Sequence, residues 1–281
     1  MSVPAGEGRG IPRIIHQTFQ TRSVPPEIGR NIQGIRALNP QWTYRLYDDE
    51  DIVDFIAGSY GPRMVNVFRR IDPRYGAARA DLFRYLLMYK CGGVYLDIKS
   101  RPTIPLDDIL RPDDCYILSR WRNWEGESFQ GWGFHPSVDD LPEGEFQQWH
   151  IVASPGHPFL EAVIAGVLRN IDEYDPFRHG VGKFGVLGLT GPIAYTRAIN
   201  PIMHRHPHRV ADSVTELGFE YSIYGTRTGH TRIFPSHYRD LSAPIVRLGL
   251  LRTVGRRTRR LGFRVVRKIG KIAGLGGSGA C

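Results

Sequence analysis

Three groups of residues in this sequence have the types and spacing to do chemistry. Asp97 follows Val94, Tyr95 and Leu96 in a run too continuously apolar for a half-exposed strand, so a carboxylate emerges where a central strand ends. In open α/β sheets ligands gather beyond the carboxyl ends of the strands, which suits such a carboxylate to binding; capping a turn or pairing with a base is the alternative. Asp81 and Arg84 stand one turn apart among Leu82, Phe83, Leu86 and Leu87, so both charges are expected inside. A buried charge needs a partner, and these two either pair with each other or meet a polar ligand such as phosphate or hydroxyl groups. Finally, Trp121, Trp124, Phe129, Trp132 and Phe134 crowd one stretch with Glu125 and Glu127. Such rings suit the apolar faces of sugars, or simply pack beneath a long insertion.

The elements that must position these groups alternate. Residues 13–19 begin β-branched and turn polar, as a buried strand does when it runs into a loop, and residues 42–47 read as the next strand. The acids at 48–51 then open a helix to about 57. Residues 77–90 form the best helix in the chain, free of Gly and Pro, with Ala78, Leu82, Tyr85, Leu86 and Tyr89 at helical spacing; Gly92 and Gly93 end it. Strands are expected at 94–98, 116–119, 150–154 and 221–224, and helices near 157–171 and 192–199. This alternation implies an α/β sandwich. Residues 120–145 lack a period and are long for a connector, which marks an insertion over a site.

The net charge of +9 would suggest a nucleic-acid binder until it is divided along the chain. Residues 245–281 hold ten Lys or Arg and no acid, leaving 27 basic against 28 acidic residues elsewhere, so the body is near neutral and no nucleic-acid partner is expected of it. Cys91, Cys115 and Cys281 form no CxxC pair, so neither a disulfide framework nor a zinc site is indicated. The N-terminal residues lack the apolar core of a signal peptide, and no run approaches a membrane span. The expected organisation is a flexible leader at 1–10, one domain at 11–243, and a basic amphipathic tail at 244–281.

The segments IPRIIHQTF, NPQWTYRLYDD and ARADLFRYLLMYKCGGVYLDIKS, in that order over residues 11–110, resemble glycosyltransferase family 32, the DXD-containing sugar-binding region family. That family includes initiating mannosyltransferases and capsular polysaccharide enzymes. HIVASPGHPFL and LTGPIAYT, within 145–240, look like its weaker C-terminal pattern. The resemblance implies a GT-A type nucleotide-sugar-binding fold, with a mixed central sheet flanked by helices, and a hexosyltransferase that retains anomeric configuration. By the same resemblance Ile15, His16, Gln17 and Thr18 would border the base and ribose of the donor, and Asp81 and Arg84 would hold its sugar hydroxyls. Asp97 would bind the donor and the metal bridging its diphosphate.

The sequence departs from the family at the second acid of the motif, which here reads Asp97-Ile98-Lys99. Lys99 would itself neutralise the diphosphate, or Mn²⁺ or Mg²⁺ would still bind through Asp97, phosphates, water and a further ligand such as His237, or Lys99 would point away from the donor. Positive charge from Lys99 and Arg84 would stabilise the leaving diphosphate, which makes Asp97, Lys99 and Arg84 the catalytic candidates. No covalent nucleophile or general base is legible. Trp121, Trp124 and Trp132 are the acceptor candidates, for a glycan or lipid-linked glycan. The competing readings are a catalytically silent sugar-nucleotide-binding or scaffold relative and a nucleic-acid binder acting through the tail.

In residues 250–272, Leu250, Val254, Leu261, Val265, Ile269 and Ile272 share one side of a helix, and Arg and Lys occupy much of the rest. This is an interfacial pattern suited to anionic lipid headgroups. It places the expected protein in the cytoplasm, peripheral on the inner face of the cell membrane.

Overall fold

In the computed structural model, which describes residues 10–225 and 241–247, the chain divides into two units, Met1–Ile245 and Val246–Cys281. Most of the leader, His237 and the segment at 250–272 lie outside the described residues. The first unit begins β1 (Ile14–Thr18), α1 (Pro26–Leu38), β2 (Thr43–Tyr47), α2 (Asp49–Tyr60), α3 (Pro62–Arg70), α4 (Gly76–Cys91) and β3 (Gly93–Leu96). After β4 (Arg101–Pro102), α5 (Leu106–Ile109) and β5 (Tyr116–Leu118) comes a long irregular stretch, then β6 (His150–Ala153), α6 (Pro158–Glu173), α7 (Gly182–Leu189) and α8 (Pro192–Ile199). Short strands β7 (Arg209–Val210) and β8 (Phe219–Glu220) follow.

Six strands form a mixed sheet in the order β2-β1-β3-β6-β5-β7. β1 is parallel to both β2 and β3, β6 runs antiparallel between β3 and β5, and β7 is parallel to β5. The mixed central sheet flanked by helices that the sequence leads one to expect is present. Alternation along the strands sends Ile15, Val94, Leu96, Val152 and Ile117 to one core, closed by Ile35 of α1, Leu106 and Ile109 of α5, and Phe219. Tyr95, Ile151 and Tyr116 project to the opposite face, where α4 packs against β3, β6, α2, α6 and α7.

Local chemistry explains the elements nearest the site. Asp48 caps α2 through a reciprocal box: its Oδ1 accepts from Asp51 N at 2.9 Å, while Asp51 Oδ2 accepts from Asp48 N at 3.0 Å. α4 is buried almost all round from Ala78 to Met88, as its apolar sequence demands. It stops at Gly92 and Gly93, with φ of 63° and 99°. A Cβ on Gly93 would lie 2.5 Å from the Ile14 carbonyl oxygen, so only glycine lets β3 start against β1.

One expectation is corrected. Residues 221–224 are not a strand; the strand is Phe219–Glu220, paired antiparallel with β4 in a separate two-stranded sheet. Beyond it the backbone turns to other partners: Tyr221 O accepts from Ser100 Oγ at 2.7 Å, and Ile223 N donates to Lys99 O at 2.9 Å.

Candidate active site

The strand order turns outward in both directions from β1, toward β2 on one side and β3 on the other, which is the kind of junction where α/β sheets bind ligands. Thr18 ends β1 and Asp97 follows β3 at the same edge. Asp97 N still donates to Trp149 O at 2.8 Å, so the carboxylate leaves the sheet at its last rung.

Arg84 ties the edge to α4. Its guanidinium lies 3.3 Å from Asp81 Oδ1 and 3.1 Å from Asp97 Oδ1, making a chain of three charges. It also donates to both the backbone oxygen (2.7 Å) and side-chain Oε1 (2.5 Å) of Gln148, and stacks 4.8 Å from the Tyr95 ring centroid. Gln148 Nε2 in turn donates to Asp81 Oδ1 and to Tyr85 Oη, each at 3.0 Å, and Thr190 Oγ1 donates to Asp81 Oδ2 at 2.9 Å. The pair is therefore satisfied by protein groups, as burial requires. Burial pushes Asp81 above the usual carboxylate range, against the pull of Arg84 and its two other donors. Burial opposes the charge on Arg84 too, yet Asp97 foremost holds the guanidinium firmly protonated. Exposure separates the three: the side chains of Asp81 and Arg84 are 7% and 6% exposed, that of Asp97 27%, so Asp97 is the member a ligand reaches.

The four nominated residues of β1 are dispersed by its pleat. Ile15 lies wholly in the core. His16 faces the other way as a neutral imidazole, donating from Nε2 to Gly92 O (3.0 Å) and accepting at Nδ1 from Tyr47 Oη (3.1 Å); burial lowers it to about 4. Gln17 donates to Asp97 O at 3.0 Å and accepts from Tyr44 Oη at 2.8 Å. Thr18 hydrogen-bonds Tyr95 Oη at 3.0 Å. Gln17 and Asn31 together hold the turn after Asp97, since Asn31 Nδ2 donates to Ile98 O and Ser100 O at 3.3 and 3.1 Å.

Lys99 is half-buried, and its ammonium donates to Tyr221 Oη at 2.9 Å while lying 4.1 Å from that ring's centroid. Tyr221 belongs to an aromatic cluster with Trp121, Trp132 and Phe129, at centroid distances of 5.4, 5.6 and 6.3 Å. Trp121 and Trp132 thus pack inside the stretch that follows β5, where Trp121 Nε1 also donates to Glu145 Oε1. Trp124 differs: it is 58% exposed and touches Phe134 edge-on.

A divalent ion at a diphosphate calls for several hard oxygen ligands. Asp97 already engages Arg84 through one oxygen, the residue two further on is an ammonium, and among the described residues no group of three His, Cys, Asp or Glu could hold a metal. Among the described residues, the donor set does not fit a protein-held metal. A cavity of about 530 Å³ is lined by Glu27, Arg30, Asn31, Arg101 and Ile223 among others; it includes none of the site residues expected from the sequence, though Asn31 and Ile223 hydrogen-bond the turn after Asp97.

Gln148, Thr190, Asn31 and Tyr221 escape sequence reasoning. The only signal for Asn31 is a polar residue on the apolar stripe of α1; Gln148 lies between the stretch without period and the strand expected at 150–154, and Thr190, within LTGPIAYT, and Tyr221, within the strand expected at 221–224, carry no signal of the partners they meet.

Residues 25–116, which include Asp81, Arg84, Asp97 and Lys99, match the family described as glycosyltransferase sugar-binding region containing DXD motif. Over 189 residues the chain is 34% identical to inositol phosphoceramide mannosyltransferase 3 of Schizosaccharomyces pombe, covering 67% of this chain and 45% of that protein. It is 27% identical over 203 residues to the initiation-specific alpha-1,6-mannosyltransferase of the same yeast, covering 67% and 48%. The chain spans about half the length of the curated relatives it matches. Solved structures similar to it include the PaToxG glycosyltransferase, with a TM-score of 0.47 at 16% identity over 84% of this chain and 89% of that one. Another is the UDP-bound glycosyltransferase domain from the YGT toxin, with a TM-score of 0.42 at 11% identity over 78% and 82%.

Proposed function

This chain belongs to the glycosyltransferase family with a DXD-containing sugar-binding region, and from that premise we propose that it transfers a hexose from a nucleotide-sugar donor to a glycan or lipid-linked acceptor. The fold is of GT-A type, and transfer retains anomeric configuration. Two relatives are named mannosyltransferases, one of them for inositol phosphoceramide, which favours a mannosyl donor and a lipid-borne acceptor. The basic segment at 250–272 would hold the enzyme at an anionic membrane surface on its cytoplasmic side.

The observation that carries this reading is the Asp81–Arg84–Asp97 ion chain at the carboxyl edge of β1 and β3. Arg84 fixes one oxygen of Asp97, leaving the other to accept from a donor-sugar hydroxyl. Because Gln148, Asp81 and Tyr95 hold the guanidinium, little reorganises as the bond to the diphosphate breaks, which is the condition for electrostatic stabilisation of a leaving group. Arg84 and Lys99 supply the positive charge. Trp124, exposed on the long stretch after β5, offers a ring to the acceptor.

The test is incubation with GDP-mannose and a panel of UDP-hexoses, following both melting temperature and release of nucleoside diphosphate, with glycan and glycolipid acceptors added. A donor-dependent product lost on Asp97→Asn supports the reading. A shift in melting without release would indicate a silent relative, and neither response to any donor would refute the assignment.

A further inference from the structure

Lys99 occupies the position where a second motif carboxylate would stand, and its surroundings are built for a cation. Its ammonium is held by the Tyr221 hydroxyl at 2.9 Å and lies over that ring, 4.1 Å from its centroid, and it pairs with no carboxylate among the described residues. Tyr221 is in turn wedged by Trp121, Trp132 and Trp149, with centroids 5.4 to 5.6 Å away, and its backbone oxygen is fixed by Ser100. A lysine that merely drifted into a surface loop would lack this socket.

Formal charge gives the socket its meaning. Asp81, Arg84, Asp97 and Lys99 are two carboxylates and two cations, a neutral set; an acid at position 99 would make the same set −2. A −2 site repels a diphosphate until a divalent cation enters, whereas a neutral site with an unpaired ammonium attracts it directly. We propose that this chain binds the diphosphate of its donor without a divalent metal, with Lys99 as the neutralising charge and Tyr221 as the residue that positions it. The inference rests on the proposed nucleotide-sugar site and adds how that site meets the anion.

GDP and UDP are titrated calorimetrically against the full chain in EDTA and in MnCl₂. The two conditions should agree within about threefold for the native protein. Lys99→Asp should weaken binding by about tenfold or more in EDTA and regain it in Mn²⁺; Tyr221→Phe should weaken it about threefold in EDTA at unchanged melting temperature, with Trp121, Trp132 and Trp149 still packing the ring. Native binding that tightens tenfold or more with Mn²⁺, or a Lys99→Asp protein that melts normally and binds equally well in EDTA, overturns the inference while leaving the donor site standing. Failure of both nucleotides to bind under either condition removes the proposed function together with it.

Discussion

The guanidinium of Arg84 stands 3.1 Å from Oδ1 of Asp97 and 3.3 Å from Oδ1 of Asp81, so one cation on a helix anchors a carboxylate at a strand end. Removing it leaves a carboxylate buried without its counter-charge, a loss on the order of 3–5 kcal/mol for a buried pair. Arg84→Met should lower stability by about that amount in urea unfolding and abolish turnover. Adding Asp81→Asn should recover part of the stability and none of the turnover. A single variant of native stability would show that Asp81 does not depend on Arg84.

Gln148 is the shared partner of Arg84, Asp81 and Tyr85. Gln148→Leu keeps the volume but takes one side-chain hydrogen bond from each of two buried charged groups, at about 1–3 kcal/mol for each lost contact. The expected outcome is a destabilised protein whose remaining folded fraction binds donor more weakly. Unchanged donor affinity would mean that Arg84 holds its place without the glutamine.

The tryptophans should separate by burial. Trp121→Ala empties a packed aromatic cluster and should cost about 3–5 kcal/mol. Trp124→Ala, at a ring already 58% exposed, should change stability by less than about 1 kcal/mol. If Trp124 contacts acceptor, that variant loses transfer while donor hydrolysis persists; equal loss of both argues against the role.

Three histidines make stability fall in mild acid. Burial is the main cause that lowers His16 and His157 to about 4 and His150 to about 3. The unfolded chain takes up these protons from about pH 6.5 downward while the native state does not. Their contribution is therefore complete above that pH, erodes as pH falls, and levels off once the native imidazoles protonate. Denaturant midpoints between pH 7 and 5 should decline, with a shallower slope in His150→Gln; a flat profile would refute it.

Membrane docking is tested by flotation. The full chain should float with liposomes containing anionic lipid and not with neutral ones, and a chain ending at Arg247, which keeps the buried Ile245 and Val246, should float with neither. Each base near such a surface contributes about 1 kcal/mol, so salt should release the full chain. Equal flotation of both chains would remove the idea.

Much of this was legible in the residues because the relevant signals are local. An apolar stretch without Gly or Pro, closed by Gly92 and Gly93 and followed by Val94 to Leu96, states helix, stop and buried strand through period and backbone preference alone. The same composition told that Asp81 and Arg84 would be buried and would need partners. At 221–224, by contrast, β-prone residues misled, because the backbone there finds Lys99 and Ser100 rather than a sheet.

By itself the sequence determined the kind of element each residue joins, the segregation of positive charge to its end, and the lysine in place of an acid at position 99. Only the tertiary structure decided that Arg84 joins Asp81 to Asp97, that Gln148 and Thr190 complete that network, and that Lys99 meets Tyr221. Those partners come from separate elements, and which of them meet follows from how helices pack on a sheet whose register no local pattern encodes.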